Sequence, residues 1–97
     1  MEEYVYYNEL YDLYGDLLTD KQKKYFEDYY FSNLSFSEMA KDYDVSRNAT
    51  FKQVHTVMEK LDEYEEKLKL YAKRCELYKI SSKIDNEELK ERLENLI

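Results

Sequence analysis

Within the ten residues SRNATFKQVH, Ser46, Arg47, Asn48, Phe51, Lys52 and His55 bring together a hydroxyl, a guanidinium, an amide, an aromatic ring, an ammonium and an imidazole. On a helix the last five of these point to one outward side, because the turn repeats about every 3.6 residues. Such side chains donate to phosphate oxygens and base edges, and an exposed ring can stack on an unpaired base. Their chemistry is that of nucleic-acid contact. The ordinary reading is the favoured one for two of them: Phe51 is expected to cover the core edge beside Met58 rather than to stack on a base, and His55 to be a plain surface histidine. Cys75 is the only cysteine and has no neighbouring metal ligands, so a packed or half-buried thiol is expected and no zinc site.

The charge distribution limits what such a face can bind. The 97 residues carry a formal net charge of −7, and residues 1–20 hold Glu2, Glu3, Glu9, Asp12, Asp16 and Asp20 with no lysine or arginine. That end repels phosphate. Between Ser46 and Lys60, Arg47, Lys52 and Lys60 stand against Glu59 alone, so nucleic acid is expected only there, with Lys21, Lys23 and Lys24 as further cations nearby. A glycine-rich phosphate loop, a histidine pair and a cysteine cluster are all missing from the sequence, so neither an enzyme nor a cofactor is expected. No apolar run approaches the roughly 18 residues of a membrane span, and MEEYVYY lacks the pattern of a signal peptide, so the expected location is the cytoplasm.

The elements that must position this face read as helices. With one glycine and no proline, the chain is expected to be all-α, a small helical bundle in a single domain spanning residues 1–97. The spacing predicts a first helix over about Glu3 to Leu17 with Val5, Leu10, Leu13, Tyr14 and Leu17 inward, weakened at Gly15. Thr19 with Gln22, Ser35 with Glu38, and Asp85 with Glu88 have the spacing of capping boxes that open later helices. Over about residues 35–60 a helix-turn-helix is expected, with Ala40 at the helix crossing, Val45 as the plug, Asp44 at the turn, and Val54 and Val57 inward. From Thr50 to Tyr78 apolar or weakly polar positions alternate gaps of four and three, which predicts one long helix over about 47–78. Its seam residues Leu61, Tyr64, Leu68 and Tyr71 then need cover, either from a short terminal helix at about 86–97 or from the second subunit of a homodimer.

Leu17 to Tyr71 resembles the YlxM family of helix-turn-helix proteins. The resemblance rests on LLTDKQ, the YY pair, SFSEMA, VSRNA and DEYEEKL, which occur here in the family's order and spacing. It implies a fold like that of winged-helix domains and sigma factor region 4, with a long C-terminal helix. It further implies a bacterial accessory or regulatory factor of the signal recognition particle pathway, whose partners are the particle's GTPase and/or its RNA. A DNA-binding transcriptional regulator is the alternative. The chain departs from the family pattern at Thr50, where an aliphatic residue is usual and a slightly looser core is expected, and at Phe51, where tyrosine is usual.

Overall fold

The computed structural model describes residues 2–96, which form six α-helices and one turn of 3-10 helix, with no strand and hence no wing among them. The order is α1 (Glu2–Tyr14), a 3-10 turn (Gly15–Leu17), α2 (Asp20–Tyr30), α3 (Phe36–Tyr43), α4 (Arg47–Leu68), α5 (Leu70–Ser81) and α6 (Glu87–Glu94).

Side-chain caps set several of these bounds. The Gln22 amide donates to the Thr19 hydroxyl at 3.1 Å while the Gln22 side chain accepts the Thr19 N–H at 3.0 Å. Ser35 and Glu38 repeat the exchange at 3.0 Å each way. The third expected box does not form. Asn86, one residue beyond Asp85, caps α6 by accepting the Leu89 amide at 3.1 Å. Asparagine caps as well as aspartate, and a leucine at the third helical position can return no hydrogen bond. Asp44 closes α3 in the left-handed region at φ 53°, which its short polar side chain tolerates.

The core draws Leu10 and Tyr14 from α1, Tyr25, Phe26 and Tyr30 from α2, Met39 from α3, and Val54, Val57 and Leu61 from α4. Val5 and Leu17, expected inward, are exposed, and Tyr6, Tyr7 and Tyr11 pack against the core instead. Ring pairing accounts for the rotated face: Tyr11 stacks on Phe26 with centroids 4.2 Å apart, a geometry worth more than aliphatic burial alone. Thr50 does not loosen the core. It is fully buried, and its hydroxyl reaches the Phe36 carbonyl at 3.0 Å and the Arg47 carbonyl at 2.7 Å, tying α4 to the first turn of α3.

The single helix expected over 47–78 is broken at Lys69, which sits in the left-handed region at φ 56°, ψ 32°. A non-glycine residue there costs about 1–2 kcal/mol, and a built junction offsets it. Glu65 accepts the Tyr14 hydroxyl at 2.6 Å, the Tyr71 amide at 2.9 Å and the Ala72 amide at 3.2 Å. Tyr14 in turn accepts the Leu70 amide at 3.0 Å. The open N-terminus of α5 is thus capped by a carboxylate from the preceding helix and a hydroxyl from α1. Arg74 then fastens α5 to α1 through Glu9 at 2.8 Å and Asp12 at 3.1 Å.

That junction also decides what covers the seam. Leu61 is buried in the core, Tyr64 lies against Tyr14 with centroids 5.9 Å apart, and Tyr71 meets Tyr6 edge-on at 5.3 Å. The covering element is therefore α1, not the terminal helix. Leu68 escapes cover and is 46% exposed, because the chain turns immediately after it. Cys75, expected to be packed, is exposed.

Candidate nucleic-acid interface

The first two turns of α4 carry the candidate face, and the sequence fixes their orientation. Thr50, Val54, Val57 and Leu61 recur at gaps of four, three and four and are buried, so the opposite side of the helix is left to solvent. Arg47, Asn48, Phe51, Lys52 and His55 are all exposed and fall within an arc of about 140° at 100° per residue. Ser46 serves the backbone, since its hydroxyl accepts the Ala49 amide at 3.0 Å and caps α4. Val45 is only a partial plug, because it remains half exposed at the turn, and Ala40 is half-buried where α3 meets α4.

Aromatic packing organises the face. The Phe51 ring lies over the His55 imidazole at 4.0 Å with planes 26° apart, and its edge meets Phe36 at 5.3 Å. Phe36 is stacked on Tyr29 at 4.7 Å with planes 3° apart, and the Arg47 guanidinium carbon lies 5.7 Å from its centroid. Phe51 is therefore held in place by Phe36 and His55, and Met58 receives the Tyr30 hydroxyl at 3.4 Å. Even so held, Phe51 stays 40% exposed. A ring held by Phe36 and covered on one face by His55, with the rest open to solvent, can stack on a base through its free face without a large further loss of side-chain freedom. Phe36 packs partly buried against the core, and its further role as the support of Phe51 and Arg47 was not read from the sequence. The available signal was its position beside the Ser35 cap, which fixes it at the start of α3 facing the start of α4.

Charge confines the face to the beginning of the helix. Among the described residues Arg47 and Lys52 make no ion pair, whereas Glu59, Asp62, Glu63 and Glu66 are exposed farther along α4. The α2 lysines add little. Lys23 pairs with Asp16 at 3.7 Å and Lys24 with Asp28 at 3.3 Å, while Lys21 edges a hollow of about 480 Å³ formed with Asp20, Lys24, Tyr25, Tyr43 and Val45 beside the turn. Asp28 is buried and also takes the Tyr43 hydroxyl. Burial, and then the hydrogen bond to Asp28, push the Tyr43 phenol above its ordinary range, so it remains a donor that locks α3 onto α2.

A family model described as "Putative helix-turn-helix protein, YlxM / p13 like" matches residues 1–97. The chain belongs to the UPF0122 family. A UPF0122 protein of Fusobacterium nucleatum is 37% identical over 101 aligned positions, spanning 100% of this chain and 98% of the relative. A UPF0122 protein of Bacillus cereus is 38% identical over 96 positions, covering 90% of this chain and 87% of the relative. One from Halalkalibacterium halodurans is 47% identical over 66 residues, 68% of this chain, and the match spans only 61% of that relative's length. The family's description names a helix-turn-helix, which suggests nucleic-acid binding. Among the described residues no helix is long and apolar enough to cross a membrane, and no cluster of possible metal ligands occurs.

Proposed function

We propose that this UPF0122 protein is an accessory or regulatory factor of the signal recognition particle pathway that contacts the particle's RNA and/or its GTPase through the first turns of α4, the RNA by its unpaired bases. The observation that carries the reading is the open Phe51 ring, stacked over His55 and flanked by Arg47, Asn48 and Lys52, in a chain of net charge −7. A reader of duplex DNA draws most of its affinity from many phosphate contacts over a broad basic face. Here two unpaired cations stand on the face, and exposed carboxylates follow within two turns. Base stacking adds about 1–3 kcal/mol per base and needs few phosphate contacts, which suits a small basic patch on an acidic protein. The family resemblance in LLTDKQ and DEYEEKL supports the particle as the setting. The helix-turn-helix itself supports the second reading, a DNA regulator in which Arg47 and Asn48 reach base edges.

The test is a set of titrations of the wild type and of the double variant Arg47→Glu/Lys52→Glu against the particle's RNA, its GTPase and genomic duplex fragments. Binding to the RNA or GTPase that collapses in the charge reversal is expected, with weak unselective duplex binding. A tight, sequence-selective duplex complex lost on Asn48→Ala would replace this reading with the DNA regulator.

A further inference from the structure

The α5–α6 hairpin is the least covered part of the molecule. No residue of α6 is buried, and Ser81 is the only buried residue of α5. Leu77 and Ile80 of α5 and Leu93 of α6 line an apolar groove of about 260 Å³, edged by Lys73 and Glu76. Leu89 lies four residues before Leu93 on the same side of α6, and Leu96 follows just beyond the end of that helix. Ile80, Leu89 and Leu96 are 54, 46 and 72% exposed.

Area and charge identify what covers this face. The chain exposes 6925 Å², whereas a folded monomer of 12.0 kDa ordinarily exposes about 6,000 Å². The excess of roughly 900 Å² belongs to the whole chain, and it is of the size that one partner contributes to a standard interface, about 800 Å². It goes with the drawn-out shape, 54 × 25 × 22 Å. The two helices also differ in sign. Lys73, Arg74 and Lys79 against Glu76 give α5 a charge of +2, and Glu87, Glu88, Glu91 and Glu94 against Lys90 and Arg92 give α6 a charge of −2. Arg74 is engaged with α1, which leaves Lys73 and Lys79 against Glu76 exposed on α5, and Glu87, Glu88 and Glu91 against Arg92 exposed on α6.

We propose that this hairpin is a homodimerisation surface, on which two copies pack about a two-fold axis into a four-helix bundle. A two-fold interface must be complementary to itself, so a helix of one sign beside a helix of the other is what it requires. Crossing α6 of one copy over α5 of the other places the α6 leucines in the groove and sets exposed glutamates beside exposed lysines. The interface lies away from the α4 face and is independent of the proposed RNA binding. It also differs from the Leu61–Tyr71 seam, which α1 occupies.

Sedimentation of the full chain tests the proposal, with circular dichroism to establish that each variant is folded. The wild type should sediment as a dimer. Ile80→Glu and Leu89→Glu change exposed positions and should leave helicity intact while weakening self-association roughly 30-fold or more, since each would bury an unpaired carboxylate. Lys73→Glu/Lys79→Glu and Glu88→Lys/Glu91→Lys should each dimerise poorly alone and associate with one another when mixed. A wild type that stays monomeric up to submillimolar concentration, or a dimer indifferent to all four variants, would overturn the proposal. Loss of RNA binding with the dimer intact would bear only on the α4 face.

Discussion

Glu65→Ala should loosen the α4–α5 junction and lower stability by about 2 kcal/mol. The carboxylate holds three donors, the Tyr14 hydroxyl at 2.6 Å and the Tyr71 and Ala72 amides at 2.9 and 3.2 Å. A hydrogen bond to a charged group contributes about 1.5–3 kcal/mol when well buried, but Glu65 is only half-buried, so about 1 kcal/mol for each of the two shorter bonds is the reasonable figure. At this chain length that corresponds to a fall in Tm of about 10 °C. Glu65→Gln keeps one acceptor and should lose about half as much, and Tyr14→Phe combined with it should be less than additive because the two groups share a bond. The sign of the pH dependence follows. Burial works to raise the Glu65 pKa, but the Tyr14 hydroxyl and the Tyr71 and Ala72 amides outweigh it and hold the carboxylate below its ordinary value of 4.5. Its contribution is therefore complete above that value and is lost as pH falls through the lower folded value, where the wild type should converge on Glu65→Gln. Thermal melts of the three variants from neutral pH to pH 3 are the assay. A Glu65→Ala protein melting within about 2 °C of wild type at neutral pH would refute the reasoning and leave the junction to the Tyr14–Leu70 bond and Arg74.

Three other substitutions separate buried from exposed positions. Thr50→Val should destabilise by about 1–2 kcal/mol despite its matched shape, because the Phe36 carbonyl loses its donor, and a melt equal to wild type would show that the hydroxyl ties nothing. Leu61→Asp should unfold the protein whereas Leu68→Asp should cost under about 0.5 kcal/mol, since the first side chain is fully buried and the second is 46% exposed; equal losses would contradict the observed break at Lys69.

Much of the fold is legible because short-range chemistry dictates it. Thr19–Gln22, Ser35–Glu38, the turn at Asp44 and the cap at Ser46 each depend on residues within one turn, and all form. The break at Lys69 was hidden because the alternating gaps of four and three run through it unchanged. What ends α4 is a carboxylate and a tyrosine hydroxyl 51 residues apart in the chain. The seam's cover was hidden for the same reason: Arg74 reaches Glu9 and Asp12 across 65 and 62 residues, and no local pattern announces such a pair. At the candidate site the outward residues of α4 followed from the inward Val54 and Val57. The support of Phe51 by Phe36, and of Phe36 by Tyr29, depends on how three helices meet and has no periodic signature.

The most direct test of the central claim is the affinity of wild type and Phe51→Ala for one RNA segment of the particle presented twice, single-stranded and closed into a duplex by its complement. Stacking by Phe51 predicts a loss of about 1–3 kcal/mol, roughly 5- to 150-fold, on the single strand and almost none on the duplex. An equal loss on both forms, or none on either, would contradict an RNA-binding face built on the open ring at the start of α4.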